Sequence, residues 1–204
     1  PAFKDAVDGS ELTLSFGGVK AYNQDNLYNK KGVEERFKIF VGFKNSICTN
    51  LCIWSDGFVS DLKVRNSNQL KTAFVELLER YNFSFHLFCM KKLLEHSLTE
   101  HQFAVLVGKC RMYQHLPQRK QLDILPLHLG DNQITQIIRD FYYDNSFSRD
   151  ESGNINLWRL YNLLTGSNKS SYIDSFLDRS ANAFHFTDQL RLSLESKQDC
   201  WYLQ

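Results

Sequence analysis

A polar turn, Gly166-Ser167-Asn168-Lys169-Ser170-Ser171, joins two aromatic-rich helical patterns and gathers hydroxyls, backbone N–H groups and one cation within a few residues. Lys169, Ser170 and Ser171 would stand at the start of the following helix, where unpaired N–H groups and the helix dipole favour an anion. The same residue types also serve as an ordinary helix stop and start. Gly166 and Lys169 are not adjacent, and neither a second glycine nor a preceding strand completes a nucleotide-hydrolysing phosphate loop.

A second constellation is basic. Residues 61 to 120 hold ten Lys or Arg against five Asp or Glu, whereas residues 121 to 160 hold three against six. Lys63, Arg65, Lys91, Lys92, Lys109, Arg111, Arg119 and Lys120 fall in the positive segment, close to Tyr81, Tyr113 and several phenylalanines. Phosphate attraction combined with aromatic stacking is what single-stranded nucleic acid requires, although such charges also form ordinary solvated helix faces.

Metal and catalytic chemistry is less well supported. Asp56, Asp61 and Lys63 are the residue types of a metal-dependent nuclease, but they lie close together without a second carboxylate cluster. His86, Cys89, His96, His101, Cys110 and His115 contain no paired Cys-x-x-Cys or His-x-x-x-His unit for zinc. The loop Ser148 to Ile155 resembles a calcium loop until Arg159 falls where the bidentate acid belongs. Cys48 and Cys52 share one face of a strand with Cα atoms roughly 13 Å apart, too far for a mutual disulfide. No Gly-x-Ser-x-Gly, His-Glu-x-x-His or dinucleotide-binding glycine pattern occurs. Neither catalytic residues nor a metal or cofactor site is therefore assigned.

The elements that would position these residues divide into strands first and helices after. Leu12, Leu14 and Phe16 alternate before Gly17-Gly18 interrupts the run, and Asn23 to Gly32 is a polar loop. A meander follows over Phe37–Phe43, Ser46–Trp54 and Phe58–Val64, with Asp56-Gly57 marking a hairpin. Leu70, Phe74, Leu77, Leu78 and Tyr81 recur at helical spacing, and a second helix is expected over Ser84–His96. Thr99 and Gln102 form a capping box ahead of an inward stripe of Phe103, Leu106, Val107 and Cys110. Ile134, Ile137, Ile138 and Phe141 define another helix, and Ile155–Leu164 and Ser171 to about Leu194 the last two, with Ser171 and Asp174 as the reciprocal cap. This order predicts a single α+β domain over residues 1–204, with an N-terminal antiparallel meander of about four strands followed by a layer of about six helices.

With 204 residues, 43% hydrophobic and 14% aromatic, the chain can bury one large core, and a formal net charge of +1 confines any polyanion site to a local patch. The five cysteines are an odd, widely spaced set, which predicts mostly reduced thiols and a cytoplasmic location. No run approaches the roughly 18 apolar residues of a membrane span. Pro1 to Ser10 carries little sign of a natural start, so the chain reads as the C-terminal part of a longer protein.

Gly17-Gly18-Val19-Lys20-Ala21-Tyr22-Asn23, Phe40-Val41-Gly42-Phe43-Lys44-Asn45, Cys48-Thr49-Asn50-Leu51-Cys52, Asn156-Leu157-Trp158-Arg159-Leu160-Tyr161-Asn162 and Asn168-Lys169-Ser170-Ser171-Tyr172-Ile173-Asp174 together resemble an uncharacterised bacterial family, a domain of unknown function. The resemblance spans nearly the whole chain, and Cys200-Trp201-Tyr202-Leu203-Gln204 resembles that family's C-terminus. A more distant similarity to phage- and plasmid-like proteins rests on the Cys-Thr-Asn strand and the Tyr-Asn-Leu-Leu-Thr helix end, and it implies a mobile-element setting without catalytic residues to transfer. The combined expectation is a non-enzymatic protein associated with single-stranded or duplex nucleic acid through its basic middle helices. A protein-interaction or self-assembling module is the alternative, and a metal-dependent nuclease the second.

Overall fold

The computed structural model describes residues 4–7, 10–20, 27–28, 34–35, 37–45, 51–53, 67–113, 115–116, 127, 129–143, 149–170 and 173–204. Strands β1 (Lys4–Val7), β2 (Ser10–Lys20), β5 (Phe37–Asn45) and β6 (Leu51–Ile53) form one antiparallel sheet in the order β1-β2-β5-β6. Two short antiparallel ladders stand apart, pairing β3 (Leu27–Tyr28) with β4 (Glu34–Glu35) and β7 (Ser97–Leu98) with β8 (Ile155–Asn156).

The period-two pattern of β2 sets its register. Leu12 lies opposite Asn45, Leu14 opposite Phe43 and Phe16 opposite Val41, so these side chains share one face of the sheet. Leu12, Ile39, Val41 and Phe43 on that face are buried. On the other face Gly17 pairs with Phe40, and a Cβ at Gly17 would meet the ring tip at 2.9 Å. The missing side chain therefore leaves room for Phe40 to lie across the strand and join Phe176, Leu177 and Ala181 in a small separate cluster.

Among the described residues there are six α-helices: α1 (Ser67–Arg80), α2 (Phe83–Lys92), α3 (Glu100–Tyr113), α4 (Asp131–Tyr142), α5 (Leu157–Ser167) and α6 (Ile173–Ser196). The α+β class follows. The expected meander takes a different form, because the sheet gains an N-terminal edge strand at Lys4–Val7 and its β6 strand is described over only three residues. The strand expected over Phe58–Val64, with its Asp56-Gly57 hairpin, lies outside the described residues.

Thr99 and Gln102 form the expected reciprocal cap of α3: the Thr99 N–H donates to Gln102 Oε1 at 3.0 Å, and the Gln102 N–H donates to Thr99 Oγ1 at 3.2 Å. Phe103, Leu106, Val107 and Cys110 are buried behind it. Helix α2 is shorter than expected. It stops at Lys92, a 3-10 turn takes Leu93–Glu95 from the expected helix, and β7 begins after His96. Similarly, α5 starts at Leu157 because Asn156 caps it, its Oδ1 accepting the Arg159 N–H at 2.8 Å, which leaves Ile155 free to pair in β8.

Helix α5 is apolar nearly all round and central to the fold: Leu157, Trp158, Leu160, Tyr161, Leu163 and Leu164 are buried. Its polar Asn162 is buried too, and it ties the helix to the sheet by accepting from Asn45 Nδ2 at 3.0 Å while donating to the Trp158 carbonyl at 2.9 Å. A contiguous core runs from Val7 in β1 to Tyr202 in a C-terminal 3-10 turn. Leu78 and Ile138, both members of apolar helical patterns, face outward, because the residues beside them, Leu77 and Ile137, take the core positions.

Candidate nucleic-acid interface

Helix α2 begins directly after α1. The Tyr81 N–H closes α1 on the Leu77 carbonyl, and Asn82 then caps α2 by accepting the Phe85 N–H at 3.0 Å. Its inner face is fixed by His86, which is fully buried among Phe43, Tyr81 and Phe184, ring centroids 4.7 to 5.7 Å away. The Tyr81 hydroxyl lies 2.7 Å from His86 Nδ1. Burial lowers the His86 pKa to about 3, so the ring is a neutral core group. Leu87, Cys89 and Met90 complete the inner face.

With that face locked inward, Phe85 and Phe88 project outward, 51% and 52% exposed. Their rings are nearly parallel, 24° apart with centroids at 6.5 Å. Lys91 and Lys92 follow in the last turn, where the helix dipole favours cations. Lys92 Nζ lies 5.7 Å from the Phe88 ring centroid and pairs with Glu95 at 2.7 Å. Spacings of three, four and seven residues place Phe85, Phe88, Lys91 and Lys92 along one side of the helix.

The remaining basic residues are not gathered here. Lys109 donates to the Trp201 and Gln204 carbonyls and stands 4.7 Å over the Trp201 ring. Arg111 pairs with Asp131 at 2.8 Å and reaches His115. These contacts bind α3 to the C-terminal turn and to the start of α4. Lys63, Arg65, Arg119 and Lys120 lie outside the described residues, as do Asp56, Asp61 and Ser171. Tyr81 and Tyr113, the tyrosines nearest the basic residues in sequence, are buried, so the exposed rings are phenylalanines instead. The signal for them lay in the sequence as Phe85, Phe88 and Lys92 at helical spacing, but it could not be separated from an inward stripe.

The Lys169 turn is a 3-10 segment, Asn168–Ser170, with Lys169 exposed. Asn168 is buried and accepts from Gln133 Nε2 at 3.0 Å, while Gln133 Oε1 accepts the Gly130 N–H at 2.9 Å. The turn thereby anchors the N-terminus of α4. In the calcium-like loop, Asp150 Oδ1 accepts the Ser152 and Asn154 N–H groups at 2.9 Å each, and Gly153 supplies a φ of +81°. That carboxylate closes a turn. Among the described residues no group of three or more His, Cys, Asp or Glu side chains is placed to hold a metal ion, and no helix is long and apolar enough to cross a membrane.

The fold and this surface define an α+β protein with an outward aromatic and cationic helix face. The family model described as "Domain of unknown function, B. Theta Gene description (DUF3871)" matches residues 1–203, and the chain belongs to that family. No curated protein and no solved structure matches.

Proposed function

We propose that the protein is a non-enzymatic nucleic-acid-binding protein that takes single-stranded DNA or RNA across the outer face of α2. Two half-exposed, nearly parallel phenylalanine rings beside two lysines carry the reading. Bases stack on Phe85 and Phe88, and phosphates contact Lys91 and Lys92, with Lys92 exchanging its Glu95 partner for a phosphate oxygen. Single strands suit the site better than a duplex, because stacking on protein rings needs bases with open faces. Lys109 and Arg111 act within the fold, holding the C-terminal turn and α4. Lys169, Ser170 and Ser171 form a secondary anion contact in this proposal. A setting in a bacterial mobile element is part of the same proposal, and it rests only on the resemblance read from the Cys-Thr-Asn and Tyr-Asn-Leu-Leu-Thr runs of the sequence.

Fluorescence anisotropy of labelled single-stranded and duplex oligonucleotides tests the reading, with Phe85→Ala/Phe88→Ala as the comparison. Stacking contributes roughly 1–3 kcal/mol per base, so loss of both rings weakens single-strand binding by at least tenfold. Equal affinity of variant and wild type, or no binding at low salt, would overturn the proposal.

A further inference from the structure

Helix α1 presents a second outward face that the α2 site leaves unused. Ala73 and Leu77 point into the core, and on the opposite side Lys71, Thr72, Val75, Leu78 and Glu79 are exposed. Val75 and Leu78 are 49% and 46% exposed, and Phe16, 65% exposed, extends the apolar area by meeting Phe74 edge-on at 6.0 Å. The charges flanking this area are arranged symmetrically. Lys71 lies four residues before Val75 and Glu79 four residues after it, each about 6 Å along the helix axis. Among the described residues neither is held by an ion pair within the chain; the neighbouring Glu76 and Arg80 pair with each other.

We infer that this face binds a second copy of the chain, with the two α1 helices antiparallel and Val75 at the twofold axis. An isologous contact requires a surface complementary to itself. Centring an antiparallel pair on Val75 sets Lys71 of each copy level with Glu79 of the other, so the contact closes with two equivalent Lys–Glu pairs around Val75 and Leu78. A parallel arrangement would set Lys71 against Lys71 and Glu79 against Glu79. Charge order thus selects one orientation, and the central apolar residues supply the area removed from water. The inference is independent of nucleic-acid binding, since it uses the opposite charge logic and a different helix.

Sedimentation velocity over a concentration series tests it on the wild type, Lys71→Glu, Glu79→Lys and the double exchange Lys71→Glu/Glu79→Lys. The wild type dimerises. Each single variant sets like charges against one another at both ends of the contact and raises the dissociation midpoint at least tenfold, and the double exchange restores it. Both substitutions are at exposed positions, and circular dichroism verifies that the fold is retained. A wild type that stays monomeric at every concentration, single variants that dimerise like the wild type, or a double exchange no better than the single variants would each overturn the inference. The first of these outcomes would leave the face to a different protein partner.

Discussion

Replacing His86 by Phe removes a buried titratable group while keeping an aromatic ring among Phe43, Tyr81 and Phe184. In the folded chain burial lowers the His86 pKa to about 3, against an ordinary value of 6.5. Between those values the unfolded chain binds a proton that the folded chain refuses, so stability rises with pH across this window. The loss begins as pH falls through 6.5 and is complete near 3. Each pH unit within the window corresponds to about 1.36 kcal/mol, so acidification from about pH 7.5 to about pH 4.5 costs the wild type about 2.7 kcal/mol through this one group. His86→Phe lacks that dependence. At neutral pH the variant is less stable, by about 1–3 kcal/mol, because the Tyr81 hydroxyl loses the ring nitrogen 2.7 Å away. Urea unfolding of both proteins at several pH values measures the difference, and effects of carboxylates elsewhere cancel in it. The deficit of the variant shrinks and then reverses as pH falls. Profiles that stay parallel from neutral to acidic pH would refute the reasoning.

Other perturbations test the elements that hold the site. Lys109→Met removes the donor to the Trp201 and Gln204 carbonyls, and it is expected to cost about 1–2 kcal/mol with faster hydrogen exchange over residues 200–204. Unchanged exchange there would show that the C-terminal turn is held by its aromatic packing alone. Asn45→Ala leaves the buried Asn162 without the 3.0 Å bond that links α5 to β5, with an expected loss of about 1–3 kcal/mol in chemical denaturation. Because the two amides interact directly, Asn45→Ala/Asn162→Ala is less destabilising than the sum of the single changes; additive losses would contradict the link.

The sequence was most legible where local chemistry and tertiary packing agree. Thr99 and Gln102 announced the start of α3, and the stripe from Phe103 to Cys110 is buried as its spacing implied. Legibility failed where two neighbouring residues were equally apolar. Leu77 and Leu78, like Ile137 and Ile138, offer the same hydrophobic signal, and only the direction in which the helix meets the core decides which is buried. Phe85 and Phe88 were hidden for the same reason: the inner face of α2 is held by His86, a residue that spacing alone marks as polar. The short β7–β8 ladder joins residues more than fifty positions apart, and no local pattern encodes such pairing. Charge counts marked the basic segment but could not show that Lys109 and Arg111 are spent on contacts within the fold.

Ultraviolet crosslinking of a single-stranded oligonucleotide carrying 5-bromodeoxyuridine, followed by mass spectrometry of the digested protein, tests the central claim most directly. The account predicts adducts concentrated on the α2 segment Phe83–Lys92 and competed away by unlabelled single strand. Adducts confined to other segments, or none under conditions where a known single-strand binder crosslinks, would contradict it.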